Sequence, residues 1–213
     1  MIKYLKNLER RLLLPLPGKE AQFQMAPSYR LEMQESGSKQ MAGVTILLYS
    51  KNDRLFFPLI ERPIYDGAHS GQISFPGGKM DKEDRNLTCT ALRECEEEIG
   101  IDSSTIIVLG CLSSLFIPVS KFEVYPIIGL CKEKPIFKPQ VSEVVSILEI
   151  PLDLILSEEI KEVKSVLYNG AEEKVPYYNI FNKMVWGATA MILSEFIQVW
   201  KESTDIYSEA RFL

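Results

Sequence analysis

The chain has 213 residues, 46% of them hydrophobic and 25% charged, with a mean hydropathy near zero. That composition describes a globular chain with one sizeable core and excludes disordered or collagen-like sequences. The 24 basic and 29 acidic residues leave a net charge of −5 and a pI near 5.2, which argues against the broad cationic footprint of a nucleic-acid binder.

No apolar run approaches the roughly 18 residues needed to cross a bilayer; the longest candidate, Met184 to Leu193, carries Gly187 and Thr189. The amino terminus mixes Lys and Arg with apolar residues at helical spacing and offers no small-residue cleavage site after an uninterrupted hydrophobic region. The expectation is a cytoplasmic protein with no membrane or nucleic-acid partner, for which a homodimer is an allowed state.

An amphipathic helix opens the chain over residues 1–20, ends at Pro15 to Gly18, and is expected as an appendage to one domain spanning 21–213. Apolar, β-branched runs at Gly43 to Tyr49, Leu55 to Ile60, Ile106 to Leu112, Phe122 to Leu130 and Val144 to Ile150 predict strands of a mixed sheet. Leu87 to Ile99 predicts a helix with Thr88, Leu92, Cys95 and Ile99 along its apolar stripe, stopped by Gly100 in a left-handed conformation. A hairpin from about Lys161 to Ile180, turning at Asn169-Gly170, precedes a second apolar helix over Gly187 to Lys201. Strands interrupted by two or three helices give an α/β or α+β sandwich.

The four cysteines, Cys89, Cys95, Cys111 and Cys131, form no C-x-x-C pair and are expected as free, mostly buried thiols. With His69 as the sole histidine, a multi-His zinc site is excluded, so chemistry must rest on carboxylates. Arg93-Glu94-Cys95-Glu96-Glu97-Glu98-Ile99-Gly100 places four carboxylates near a helix carboxyl end, against both like-charge repulsion and the helix dipole. At 100° per residue Glu94, Glu97 and Glu98 are expected to converge on one exposed face, with Glu96 pointing elsewhere. A solvated charged face is one account of such a run. The other is a hard divalent cation, Mg²⁺ or Mn²⁺, held by oxygen ligands. Phe75-Pro76-Gly77-Gly78-Lys79 upstream favours the second, since two glycines let backbone approach a ligand closely.

The stretch from Gly78 to Ile101 resembles the Nudix box, G-x5-E-x7-R-E-U-x-E-E-x-G-U with U aliphatic. Arg93-Glu94, Glu97-Glu98, Gly100 and Ile101 match, and Cys95 takes the first U. One extra residue lies between Gly78 and Arg93, and Asp84 stands where the family has its first glutamate, which helps to orient the arginine. The resemblance implies a Nudix-type α/β/α sandwich with a central mixed sheet and metal-dependent hydrolysis of a nucleoside diphosphate derivative. Glu94, Glu97, Glu98 and the Gly78 carbonyl would be its metal ligands, and Glu97 or Glu143 its general base, with Arg93 bracing the carboxylates.

Upstream, Arg62-x6-His69-x-Gly71-Gln72-Ile73-Ser74-Phe75-Pro76-Gly77-Gly78 resembles the signature before the box in coenzyme A diphosphatases, and the segments around Val141 to Val144, Val175 to Tyr178 and Val185 to Leu193 resemble that subfamily's carboxyl half. Glu61, Pro63 and Gly67 depart from its usual residues, Gly67 replacing a second basic one. The resemblance implies coenzyme A or a derivative as substrate, contacted by Arg62, His69, Gln72 and Lys79. ADP-ribose, NADH, an oxidised nucleoside triphosphate, and a catalytically silent binding module remain alternatives. His69 reads equally as a loop residue hydrogen-bonding backbone. Trp186, Tyr177, Tyr178 and Phe181 read either as core or as a stacking surface for adenine.

Overall fold

The computed structural model describes residues 2–32, 39–67, 69–168 and 170–209. Helix α1 (Ile2–Leu12) and the single-turn α2 (Lys19–Gln22) precede β1 (Gln40–Lys51) and β2 (Arg54–Glu61), joined through Asn52 and Asp53 at φ 52° and 59°. Positive φ at both central residues matches the twist of a tight two-residue hairpin. Then follow β3 (Ile73–Ser74), β4 (Gly77–Lys79), α3 (Leu87–Ile99), β5 (Ile106–Cys111), β6 (Leu115–Ile117), β7 (Phe122–Cys131), β8 (Ser146–Pro151) and α4 (Leu152–Ile155). The chain continues through β9 (Lys161–Tyr168), β10 (Ala171–Ile180), β11 (Lys183–Trp186) and α5 (Gly187–Glu209).

The central sheet has the order β3-β2-β1-β7-β5, with β4 added to β1, β6 to β7 and β8 to β2. It is mixed: β1 runs parallel to β7 from Gln40↔Phe122 to Tyr49↔Cys131 and antiparallel to β2 and β4. A central strand buried on both faces reads as a continuous apolar run, and residues 46–49 of β1 do so. Leu47 and Tyr49 join Cys95 and Ile99 of α3 on one face. Ile46 and Leu48 belong with Leu193, Phe196 and Ile197 of α5 on the other, where Leu5 and Leu8 of α1 are also buried. The result is the expected α/β/α sandwich. A second sheet, β11-β10-β9, is an antiparallel meander.

Every strand predicted singly is present, most with slightly wider bounds. Val144 and Val145 lie ahead of β8 and Leu112 past the end of β5, Val144 buried although outside the strand. The hairpin stands at β9 and β10; of its expected turn, Asn169 lies outside the described residues and Gly170 has φ 82°. Helix α5 runs past Lys201 to Glu209. The thiols are all free, but Cys111 is exposed and Cys89 half-buried, so only Cys95 and Cys131 are core. No helix among the described residues is long and apolar enough to cross a membrane.

Candidate active site

The placement of α3 decides the site. Asn86 caps its amino end, accepting from the Cys89 N–H at 2.9 Å, and Gly100 closes it at φ 72° with its N–H donating to the Glu96 carbonyl. The helix crosses β1 at Gly43, where a Cβ would lie 2.6 Å from the Leu87 carbonyl oxygen and 2.9 Å from the Ala91 nitrogen. The Thr45 hydroxyl donates to the Ala91 carbonyl at 2.8 Å. This close approach turns the buried stripe to Ala91, Cys95, Glu98 and Ile99, whereas the sequence pattern puts Leu92 in it and leaves Glu98 outside.

The carboxylates therefore do not share one exposed face. The Glu98 side chain is 1% exposed, Glu94 15% and Glu97 58%. Glu98 accepts the Gly77 N–H at 2.7 Å, and the Arg62 guanidinium stands 3.6 Å away. Burial outweighs both and pushes the Glu98 carboxyl up to about 7. Burial likewise raises Glu94, against the pull of Arg93 and with support from Glu97 and Glu143.

The glycine segment is itself a strand. In β4, Gly77 lies opposite Val44 and Gly78 opposite Gly43, so its distance from α3 is set by the backbone ladder. At Gly78 a Cβ would sit 2.4–2.5 Å from the Glu94 carboxylate, which explains why the carboxylate can rest there. Arg62 braces the same segment, donating to Ser74 Oγ at 3.1 Å and to the Gly77 carbonyl at 3.2 Å.

Arg93 is held by a two-point contact with Asp84, at 3.1 and 2.9 Å, and its Nη1 donates to Glu94 and Glu97 at 2.9 Å each. Asp84 also accepts from Thr90 Oγ1 and the Asp81 N–H. These donors, Arg93 first, hold its carboxyl well below the usual carboxylate range. The shorter acid thus orients Arg93 as a glutamate would.

A cavity of about 430 Å³ gathers Arg62, His69, Gln72, Gly77, Gly78, Lys79, Glu94, Glu98 and Glu143 along its walls. Of the residues singled out from the sequence, Arg93 and Glu97 are outside that lining, tied to each other at its edge. Glu143 is exposed in the turn before β8. The His69 ring contacts Gln72 Oε1 at 3.0 Å and Ser120 Oγ at 3.2 Å, side chains rather than backbone. Ser120, Ile117 and Phe122 complete a wall that the sequence pattern did not single out; their segment reads only as strand and turn. Tyr178 is core, Trp186 half-buried and Phe181 exposed.

No group of three or more His, Cys, Asp or Glu among the described residues is arranged as a ready metal cage. The donor chemistry nevertheless suits a hard cation: Glu94, Glu98 and Glu143 bring only oxygen, and burial, which raises the first two carboxyls, leaves their ionised forms poorly solvated.

The protein is 38% identical over 130 residues to the uncharacterized Nudix hydrolase NudL of Yersinia pestis (strain Pestoides F), a match covering 61% of this chain and 65% of that one. The NudL of Yersinia pseudotuberculosis serotype O:1b matches to the same extent. The chain thus spans just under two thirds of the length of these relatives. Among solved structures, the Nudix hydrolase RenU of M. smegmatis superposes with a TM-score of 0.51 at 11% identity, covering 78% of this chain and 90% of that one, which shows the fold. The sequence model of the NUDIX domain matches residues 39–174, a span that holds the β4 glycines, Arg93 and the α3 carboxylates, and the chain belongs to the Nudix family.

Proposed function

We propose that the protein is a Mg²⁺- or Mn²⁺-dependent diphosphatase that cleaves coenzyme A, or a derivative of it, to 4′-phosphopantetheine and adenosine 3′,5′-bisphosphate. The observation carrying this reading is that His69 and Gln72, from the segment resembling coenzyme A diphosphatases, line one cavity with Glu94, Glu98 and Glu143. Substrate-contacting residues and carboxylates then face a common space large enough for a diphosphate and its flanking groups.

Glu94 and Glu98 would hold the cation, with the Gly78 carbonyl beside them and Glu97 joining on release from Arg93. When bound, the cation neutralises diphosphate oxygens and acidifies an attacking water. The chain's own residues divide the remaining work. Glu143, which lines the cavity where Glu97 does not, takes the proton from the water. Arg93, anchored by Asp84, fixes the direction of Glu94, while Arg62 holds Gly77 and Glu98 in register. Lys79, exposed on the cavity wall, meets a phosphate oxygen. His69 and Gln72 orient the substrate beyond the scissile bond.

Incubation with coenzyme A and Mg²⁺, followed by product analysis, tests the reading. Phosphopantetheine and adenosine bisphosphate are expected, with kcat/KM above that for ADP-ribose, NADH or an oxidised nucleoside triphosphate. A preference for ADP-ribose over coenzyme A refutes it.

A further inference from the structure

Glu61, the last residue of β2, ties together three parts of the molecule. Its carbonyl accepts the Val145 N–H at 2.8 Å, and in the ladder it pairs with Ser146, the first residue of β8. Its carboxylate accepts from Ser146 Oγ at 2.6 Å. From the other sheet, Lys183 Nζ lies 2.8 Å from each oxygen of the same carboxylate. The root of Lys183 is itself fixed. It opens β11 opposite Ile180, after a two-residue turn in which Phe181 and Asn182 have φ 52° and 61°.

What Glu61 fastens is the turn that carries Glu143. At one end of that turn the Gln140 N–H donates to the Glu98 carbonyl at 2.9 Å, and the Gln140 carbonyl accepts the N–H groups of Glu143 and Val144. At the other end stand Val145 and Ser146, both bonded to Glu61. Glu143 is exposed, so its aim into the cavity follows from the backbone beneath it. A lone surface ion pair would add little. This one is half-buried, shares its carboxylate with Ser146 and joins two sheets beside the cavity. Lys183 first, and then Ser146, hold the Glu61 carboxyl below its ordinary value, which keeps the pair charged at neutral pH.

We propose that Glu61, clamped by Lys183, is a positioning residue for hydrolysis: it holds the turn from which Glu143 meets the attacking water. This rests on Glu143 as the base and does not depend on which nucleotide derivative is cleaved. Without the clamp the first residues of β8 are free to fray from β2, and a shift of about 1 Å in a reacting group can cost up to about 100-fold in rate. Substrate affinity, set by other residues of the cavity, is left nearly unchanged.

The test is kcat and KM in Mg²⁺ with whichever of coenzyme A, ADP-ribose and NADH is turned over fastest, expressed per folded protein from near-ultraviolet circular dichroism. Glu61→Gln and, separately, Lys183→Met should each lower kcat about tenfold with KM within about twofold of wild type. Lys183→Arg, which keeps the ion pair, should restore most of the rate. In a Glu143→Gln background Glu61→Gln should bring no further loss of kcat, because a residue that acts through Glu143 has nothing left to position. Wild-type kcat in Glu61→Gln beside a slow Glu143→Gln overturns the positioning role and leaves Glu143 as the base. An equal loss in both backgrounds also overturns it, since Glu61 would then serve the fold or another group. A near-normal rate in Glu143→Gln overturns the base reading and the positioning role together.

Discussion

Replacing Glu98 by Gln should make the metal-free protein more stable while removing its activity. The carboxyl is buried beside Gly77 and pushed from 4.5 up to about 7, and every tenfold change in proton affinity corresponds to about 1.4 kcal/mol. Ionised Glu98 therefore costs the folded state about 3 kcal/mol once the pH exceeds 7. Because the folded-state value is raised, that cost is absent below about pH 4.5 and grows as pH climbs towards 7. Gln keeps the volume, can still accept the Gly77 N–H and carries no charge. Thermal melts in EDTA from pH 4.5 to 8 should show wild-type stability falling relative to Glu98→Gln across that window. At pH 8 the variant should melt several degrees higher, at roughly 2–4 °C per kcal/mol for a chain of this size. Mg²⁺ should raise the melting temperature of the wild type and leave the variant nearly unmoved, with turnover down about 100-fold or more. Parallel pH profiles in EDTA, or a variant melting at or below wild type at pH 8, would refute the assignment of Glu98 as a buried, under-compensated carboxylate.

Glu94→Gln should also reduce turnover about 100-fold or more, whereas Glu96→Gln, exposed on another face and bonded to the Ser103 N–H, should keep nearly full rate in the same assay. Glu143→Gln should depress kcat with little change in Mg²⁺ affinity, and the acidic limb of the pH–rate profile should vanish; a near-normal rate would return the base role to Glu97. Asp84→Asn removes the charged partner of Arg93. It should cost about 1.5–3 kcal/mol in denaturant titrations at neutral pH. Since Asp84 is held below its ordinary range, its contribution in the wild type should disappear as pH falls through the acid region.

Helix α3 was legible to the residue, because an apolar stripe and a terminal glycine agree over thirteen positions. The long strands were legible for the same reason. Strands β3, β4 and β6 were not: two or three residues carry no periodicity, and Pro76-Gly77-Gly78 reads as loop until β1 supplies its ladder. The Arg93 cluster was visible in the spacing of the box, but the burial of Glu98 was not. A helical wheel assigns charge to solvent, and the partners that make burial tolerable, the Gly77 N–H and Arg62, lie 21 and 36 positions earlier in the chain. The clue was Gly43, a glycine inside a strand, which marks close approach by another backbone. Helix α5 outran its expected end because its last turns, from Glu202 on, are largely polar and break the apolar pattern that located it.

The carboxylates and the largely apolar cavity of about 570 Å³ beside them are mounted on different sheets. Glu94 and Glu98 ride on α3, fixed against β1 and β4 of the central sheet, while four of that cavity's apolar side chains belong to the separate β9-β10-β11 meander. The two cavities can therefore vary separately. Substitutions between Lys161 and Trp186 can resize or repolarise that cavity without disturbing the backbone ladder between β4 and β1. A lineage can change the lining of that cavity by drift in one meander and leave Glu94 and Glu98 where they stand, and an engineer can do the same by grafting that segment with Lys183 retained.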